Sequence, residues 1–243
     1  MKSLFTLLLF VGLCTAHVHA QEVFHVGVEL QPYPPYSDVQ DGVYQGYARD
    51  LLDAFAAHKG YQFVYVALPV RRLLNDFLEQ RVDFKYPDHP QWNASQKAGH
   101  LIHYSQPTVP YIDGVLVKPE HLGRSQAEIA LLGTQNGFTP WPYLKPIRSG
   151  HIKVILANQV DSLLRMALSD RIDGAYLNPK VVAYRLRQLK LPADTLVFDP
   201  QLDHMEDHYY LSGIRHPQLI AEFNRFLSEQ AEQIAQIRAR HGL

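Results

Sequence analysis

Short runs rich in β-branched residues alternate with amphipathic helical runs, and this alternation constrains the fold more than any other feature of the chain. The first half contains three predicted strands separated by two predicted helices, at 23–29, 48–59, 62–67, 69–78 and 82–86. Parallel strands need a long crossover, which is usually a helix. This β-α-β-α-β order therefore predicts a mostly parallel sheet covered by helices.

A second series of the same kind follows between residues 129 and 198. Two β-like segments, 113–118 and 208–212, flank this series and belong to neither, so we expect them to cross between two lobes. We therefore predict an α/β fold of two lobes, each a mostly parallel sheet flanked by helices, joined by two hinge strands. In such a fold a ligand binds between the lobes, near the C-terminal ends of parallel strands.

The first twenty residues have the pattern of a cleavable signal peptide. Lys2 precedes an apolar run at 4–14, and Val18 and Ala20 place small residues before a predicted cut after Ala20. A buried strand or a membrane anchor is the alternative. The predicted divisions are therefore the signal peptide at 1–20, lobe 1 at 21–116, lobe 2 at 117–207, and the return strand and C-terminal helices of lobe 1 at 208–243.

Charge and cysteine content disfavour several classes of function. The 23 basic and 24 acidic side chains are nearly balanced, so nucleic acid is not an expected partner. The single cysteine, Cys14, argues against a disulfide scaffold, a cysteine-ligated zinc site and a cysteine nucleophile. His204 and His208 are four residues apart, a spacing that could bind metal on a helix, but this stretch leads into a predicted hinge strand and is not a predicted helix. We expect no metal and no cofactor.

Several motifs in a fixed order carry a resemblance to a known family. They are VGVELQPYPPYS (26–37), DGVYQGYARDLLDAFAAHKGYQFVYVALP (41–69), FLEQRVDF (77–84), YSQP (104–107), GVLVKPE (114–120), LLGTQNGF (131–138) and LSDRIDGAYLN (168–178). In this order the sequence resembles the type II periplasmic solute-binding proteins of family 3, which includes amino-acid binders. The resemblance implies a periplasmic venus-flytrap monomer that captures an amino-acid-like or amine-like solute for an ABC-type importer.

Three candidate ligand-binding residues follow the first two predicted strands. Tyr33 and Tyr36 lie in a proline-stiffened loop, and the resemblance implies that the first of them lines the ligand. Arg71 begins the second helix and could hold a carboxylate through two hydrogen bonds. The alternatives are a packed surface turn for the tyrosines and a solvated helix start for the arginine.

Three further candidates follow the third predicted strand, where the resembling family places polar ligand contacts. Asp88 could accept hydrogen bonds from an amine, and His89 could donate or accept. Trp92 could stack on the ligand or make a cation–π contact. The alternative is a turn with one buried tryptophan and exposed polar neighbours.

The candidates in lobe 2 lie after its first and third predicted strands. Thr134, Gln135 and Phe138 belong to a glycine-bounded turn before a short predicted helix, whose free N–H groups could bind an anion. Asn178 follows a strand and precedes a proline at the first position of a predicted helix. The alternatives are an ordinary strand-to-helix turn and a pure helix cap.

The sequence departs from amino-acid binders at both charged anchors of the ligand. The arginine that commonly clamps the α-carboxylate is missing near positions 97 and 98, and Asn178 stands where an aspartate usually pairs with the ammonium. Arg71 and Asp88 are possible replacements. The ligand could equally be an amine, a modified amino acid or another small polar molecule.

Two other functions fit the same resemblance. A ligand-sensing subunit would bind a membrane receptor instead of a permease. Family 3 also includes periplasmic cyclohexadienyl dehydratases, in which case Asp88 and His89 would be the acid–base candidates. We favour the non-catalytic binding protein.

Overall fold

The computed structural model describes residues 21–243, so the predicted signal peptide lies outside the described residues. No helix within this range is long and apolar enough to cross a bilayer. The strands are β1 Val23–Glu29, β2 Asp38–Gln40, β3 Val43–Gln45, β4 Gln62–Leu68, β5 Phe84–Asp88, β6 His103–Tyr104, β7 Val109–Val117, β8 Leu131–Gln135, β9 Lys153–Ala157, β10 Gly174–Leu177, β11 Val197–Phe198 and β12 Met205–Gly213.

The helices are α1 Tyr47–Lys59, α2 Val70–Leu78, α3 Ala94–Lys97, α4 Leu144–Arg148, α5 Val160–Leu168, α6 Pro179–Gln188, α7 Pro217–Glu229 and α8 Ala231–Arg240. Gly60 ends α1 in the left-handed conformation (φ 75°), as the sequence predicts, and its N–H is directed to carbonyls of the last turn.

Lobe 1 is a sheet with helices packed on it. β1 lies between β4 and β5, both of which run parallel to it. One face of α1 buries Leu51, Leu52 and Phe55, and the ring of Phe55 meets those of Phe223 and Phe226 in α7 at 5.0 and 5.5 Å. The C-terminal helices thus complete the core of the lobe that the chain began with.

Lobe 2 repeats this plan. β8 lies between β9 and β10, both parallel to it. In both lobes an aspartate before a strand accepts backbone hydrogen bonds from a neighbouring segment. Asp83 accepts from the His25 N–H at 2.8 Å, and Asp173 accepts from the Leu131 N–H at 2.7 Å. Asp173 therefore supports the fold of lobe 2.

Two long strands connect the lobes. The first half of β7 pairs with the first half of β12, with Asp113 opposite Met205, and its second half pairs with β10 and β11 in lobe 2. The second half of β12 pairs with β5 and β6 in lobe 1. The predicted two-lobed α/β fold with two hinge strands is confirmed. The boundaries predicted at 116/117 and 207/208 fall inside β7 and β12.

The strand at the start of lobe 2 lies further along the chain than predicted. The sequence predicts that the first strand of lobe 2 ends before a glycine-bounded turn that holds Thr134 and Gln135, but β8 runs through Gln135. This position of the strand requires Gly133, because a Cβ there would lie 2.5 Å from Ile172 Cδ1 and 2.9 Å from Leu163 Cδ2. Here the glycine allows close packing instead of a turn.

Candidate functional site

A cavity of about 90 Å³ lies between the lobes, beside the hinge strands. Glu29 and Leu177, the last residues of β1 and β10, line it from lobe 1 and lobe 2 respectively. Asp113 lines it from β7. The cavity therefore lies where an α/β fold places its ligand, outside the C-terminal ends of the strands and between two lobes.

Aromatic rings form much of the cavity wall. The Tyr33 ring lies 5.1 Å from that of Phe138 in lobe 2, and the Tyr36 ring lies 5.4 Å from that of Tyr209 in a hinge strand. Trp92 in turn lies 5.9 Å from Tyr209. Four predicted residues, Tyr33, Tyr36, Trp92 and Phe138, therefore line one cavity.

Hydrogen bonds join the two lobes across the cavity. The backbone N–H of Asn178 donates to the Tyr33 hydroxyl, and its side-chain amide donates to the Tyr36 hydroxyl, each at 3.3 Å. Gln31 Nε2 donates to the Asn136 carbonyl at 3.0 Å. The structure is thus the closed arrangement of the lobes. Asn178 also caps α6, as predicted, because its Oδ1 accepts from the Lys180 N–H at 2.8 Å.

Two acidic residues at the cavity have raised pKa values. Burial raises the pKa of Asp113 to about 7; a 3.4 Å hydrogen bond from the Tyr33 hydroxyl lowers it, and Glu29 raises it again. Burial also raises the pKa of Glu29, an effect that Lys85 partly offsets. Both carboxyl groups are held in surroundings that disfavour their charged form.

Asp88 does not line the cavity but lies in the protein interior. It is 0 % exposed, and its Oδ1 accepts from Lys85 Nζ at 2.9 Å and from Lys97 Nζ at 2.7 Å. Its Oδ2 accepts from Ser212 Oγ at 2.7 Å. Burial opposes ionisation, but the two lysines hold the pKa of this carboxyl below its usual range. Asp88 therefore binds lysine side chains of the protein itself. One of them, Lys97, lies at the position where the family's arginine is missing.

His89 is also buried away from the cavity. Its Nδ1 accepts from the Gln91 N–H at 3.2 Å, so Nε2 carries the proton and donates to Asp207 at 2.9 Å. Burial lowers the pKa of His89, although Asp207 opposes the shift. The His89 ring lies 5.8 Å from that of the cavity-lining Trp92, but both Asp88 and His89 are engaged with other partners.

Thr134 and Gln135 lie inside β8 and are buried. Thr134 Oγ1 donates to the Tyr176 carbonyl at 3.1 Å, which ties β8 to β10. Gly137 and Phe138, beyond the strand, line the cavity instead. The short helix predicted after this turn begins as a 3-10 turn, Trp141–Tyr143, which precedes the five-residue α4.

Arg71 is exposed and does not line the cavity. It is the second residue of α2, and the preceding residue, Val70, reaches the cavity wall opposite Gly137. Neighbouring residues on a helix point about 100° apart, and here it is Val70 that faces the cleft while Arg71 points to solvent. The guanidinium therefore lies outside the closed cavity.

Sequence reasoning missed several cavity residues. Glu29 ends β1, and the rule that ligands bind at the C-terminal ends of strands could have found it. Tyr176 lies one residue before the end of β10 and is open to the same argument. Asp113 and Tyr209 lie on the hinge strands, to which that rule does not apply. Within residues 21–243 no cluster of three or more His, Cys, Asp and Glu side chains is arranged for a metal ion.

Comparison with solved structures identifies the fold. No model of a known protein family matches the sequence, and no curated protein matches it. Among solved structures, a histidine kinase sensor domain with similarity to periplasmic binding proteins matches at a TM-score of 0.72 and 18% identity, over 91% of this chain and 96% of that one.

Two other solved structures also match this chain over most of its length. An ancestral arginine-binding protein bound to arginine matches at a TM-score of 0.70 and 16% identity, covering 92% of this chain and 99% of that one. An ancestral amino acid-binding protein, a precursor of cyclohexadienyl dehydratase, matches at 0.68 and 17% identity over 90% and 95%. The chain therefore has the fold of the type II periplasmic solute-binding proteins.

Proposed function

We propose that the protein captures a small polar solute, amino-acid-like or amine-like, between its lobes. The observation that carries this proposal is the closed cavity, which both lobes line and which hydrogen bonds from Asn178 to Tyr33 and Tyr36 close. Two lobes joined by two strands close by rotation about those strands, and a solute contacted by both lobes favours the closed state.

The proposed setting is the periplasm, after removal of residues 1–20. There the closed monomer delivers its solute to the permease of an ABC-type importer. Support comes from the substrate-binding protein of an amino acid ABC transporter, which matches this chain at a TM-score of 0.67 and 17% identity. A deletion strain that loses uptake of the solute, and regains it with the intact gene, would establish the transport role.

A sensor subunit is the second candidate function. The similarity to a histidine kinase sensor domain, at a TM-score of 0.72, favours it specifically. In this role the closed lobes bind a membrane receptor instead of a permease. Unchanged uptake in the deletion strain, together with loss of a transcriptional response to the solute, would replace the importer role with the sensor role.

A dehydratase role has less support, although a precursor of such an enzyme shares the fold. The acid–base candidates do not line the cavity. Asp88 is buried and bound to Lys97, and His89 is buried and bound to Asp207. A carboxylated substrate would also lie beside Glu29 and Asp113, in a cavity whose lining within the described residues includes neither lysine nor arginine to balance its charge. We therefore propose a binding protein without catalytic activity.

Native mass spectrometry of the mature protein tests the binding function directly. The protein is purified from the periplasm of its own cells, and one half is unfolded and refolded to release any solute. We expect an added mass that disappears on refolding and returns with a small-molecule extract. If neither preparation binds any component of the extract, the proposed function is wrong.

A further inference from the structure

One hydroxyl group at the cavity lacks a hydrogen-bond partner, and two carboxyl groups lack a salt-bridge partner, within residues 21–243. The Tyr176 hydroxyl is buried, in a residue only 3 % exposed, and has no hydrogen-bond partner within residues 21–243. Glu29 is 8 % exposed, and no salt bridge of the described residues involves it or Asp113. Buried polar groups are normally satisfied, so these groups call for a partner that carries hydrogen-bond donors or positive charge.

The cavity has no matching group for an anion. The lining residues in the described part of the chain include neither lysine nor arginine. Lys85 and Lys97, the two lysines that are buried within residues 21–243, are both bound to Asp88, and Arg71 is exposed outside the closed cleft. A ligand carboxylate would therefore be desolvated without a counter-charge and would face two protein carboxyl groups.

The remaining wall suits a positive charge. Eight aromatic residues line the cavity: Tyr33, Tyr36, Tyr86, Trp92, Phe138, Trp141, Tyr176 and Tyr209. The faces of such rings attract ammonium groups, most strongly where water is excluded. Aromatic rings and carboxylates together can hold either a protonated amine or a methylated ammonium.

We infer that the solute held between the lobes is a small organic cation without a carboxylate group, whose charge Glu29 and Asp113 balance inside an aromatic wall. This inference rests on the proposed function and narrows its ligand from amino-acid-like or amine-like compounds to amines and ammonium compounds.

The direction of the pH dependence follows from the same carboxyl groups. The Asp113 pKa of about 7 and the raised pKa of Glu29 mean that a cation binds best once these groups have lost their protons. Affinity for the cation therefore rises as the pH increases towards about 7 and then levels off, by up to about tenfold per pH unit for each proton released. The groups that face Asp113 are Glu29, Tyr33 and Tyr36 from β1 and its loop, Tyr111 from β7, Tyr176 from β10 and Tyr209 from β12.

Calorimetry on refolded protein with matched compounds tests the inference. Each pair differs by the carboxylate: choline and glycine betaine, ethanolamine and glycine, putrescine and ornithine. We expect at least one cation to bind at least tenfold more tightly than its carboxylated counterpart, with affinity rising between pH 5.5 and pH 7.5. A carboxylated member that binds as tightly as its cation, or a set of cations that all fail to bind, overturns the inference.

Failure of the inference is distinguishable from failure of the proposed function. A carboxylated solute retained in native mass spectrometry would contradict the cation but leave solute binding intact. If no solute is retained and no compound of either kind binds, the result counts against both.

Two isosteric variants locate the charge recognition. Glu29→Gln and Asp113→Asn should each weaken binding of the cation at least tenfold at pH 7.5. Asp113→Asn should also flatten the rise with pH. Glu206→Gln is the matched control, because Glu206 lies on hinge strand β12 but its side chain is 66% exposed. If both variants bind the cation as the control does, Glu29 and Asp113 do not balance its charge.

Discussion

Asp113→Asn should stabilise the ligand-free protein at alkaline pH. The ordinary pKa of an aspartate is 3.8, and burial in the hinge raises that of Asp113 to about 7. In unfolded chains the group loses its proton near pH 4, but in the folded protein it holds the proton until about pH 7. The folded state therefore loses stability as the pH rises between these two values.

The size of the effect follows from the shift. About three pKa units at 1.36 kcal/mol each correspond to about 4 kcal/mol of destabilisation once the folded protein is fully ionised at Asp113. An asparagine has nearly the same shape but no charge to desolvate. We expect the free energy of unfolding of the variant to exceed that of the wild type by up to about 4 kcal/mol at pH 8. At pH 5 this difference should be smaller by about 2 to 3 kcal/mol.

Urea denaturation of refolded protein, followed by tryptophan fluorescence, measures both free energies. Glu206→Gln serves again as the control, because an exposed carboxylate should give no difference between the two pH values. An Asp113→Asn protein that is no more stable than the wild type at pH 8 would refute the assignment of a desolvated carboxyl to the hinge. If the difference in free energy of unfolding between variant and wild type is the same at pH 5 and pH 8, the charge of Asp113 is not the cause of the difference.

Four further substitutions test other parts of the structure. Gly133→Ala should lower stability by about 1–3 kcal/mol in thermal denaturation, because its Cβ would lie 2.5 Å from Ile172; an unchanged melting temperature would contradict the close packing. Asp88→Ala should cost about 3–5 kcal/mol, since it leaves two buried lysines without their counter-charge; urea denaturation measures it, and a loss below 1 kcal/mol contradicts the network. Asn178→Ala should shift the lobes towards the open state, seen as a larger radius of gyration in X-ray scattering, because it removes one of the hydrogen bonds that close the cavity; an unchanged radius counts against this role. Trp92→Ala should weaken ligand binding in calorimetry while the fold is largely retained, because the ring lines the cavity; unchanged affinity removes it from the site.

The order of elements was predictable because it depends on local patterns. Gly60 at the end of α1 and Asn178 before Pro179 are helix signals that a few neighbouring residues decide. Gly133 was misinterpreted because its role depends on Ile172, which is distant in sequence. The start of β7 was missed because Pro110 has no N–H to donate and weakens the strand pattern.

Residues that line the cavity were predictable only where they follow directly after the C-terminal end of a strand. Tyr33 and Tyr36 were found because their loop follows β1, and Trp92 because it follows β5. Asp88 seemed free to bind an amine because the sequence does not reveal that Lys97 folds back onto it. Asp113 escaped notice because a hinge strand becomes part of a site only when both lobes are in place.

The position of Asp113 affects the sequence of events in binding. It pairs with Met205 of β12, while its neighbour Gly114 pairs with Leu177 of lobe 2. The residue therefore lies close to the axis about which the lobes rotate, where displacement during rotation is smallest. Its carboxyl group keeps nearly the same place whether the cleft is open or closed, so a solute meets this carboxyl group at the same position on arrival as after capture.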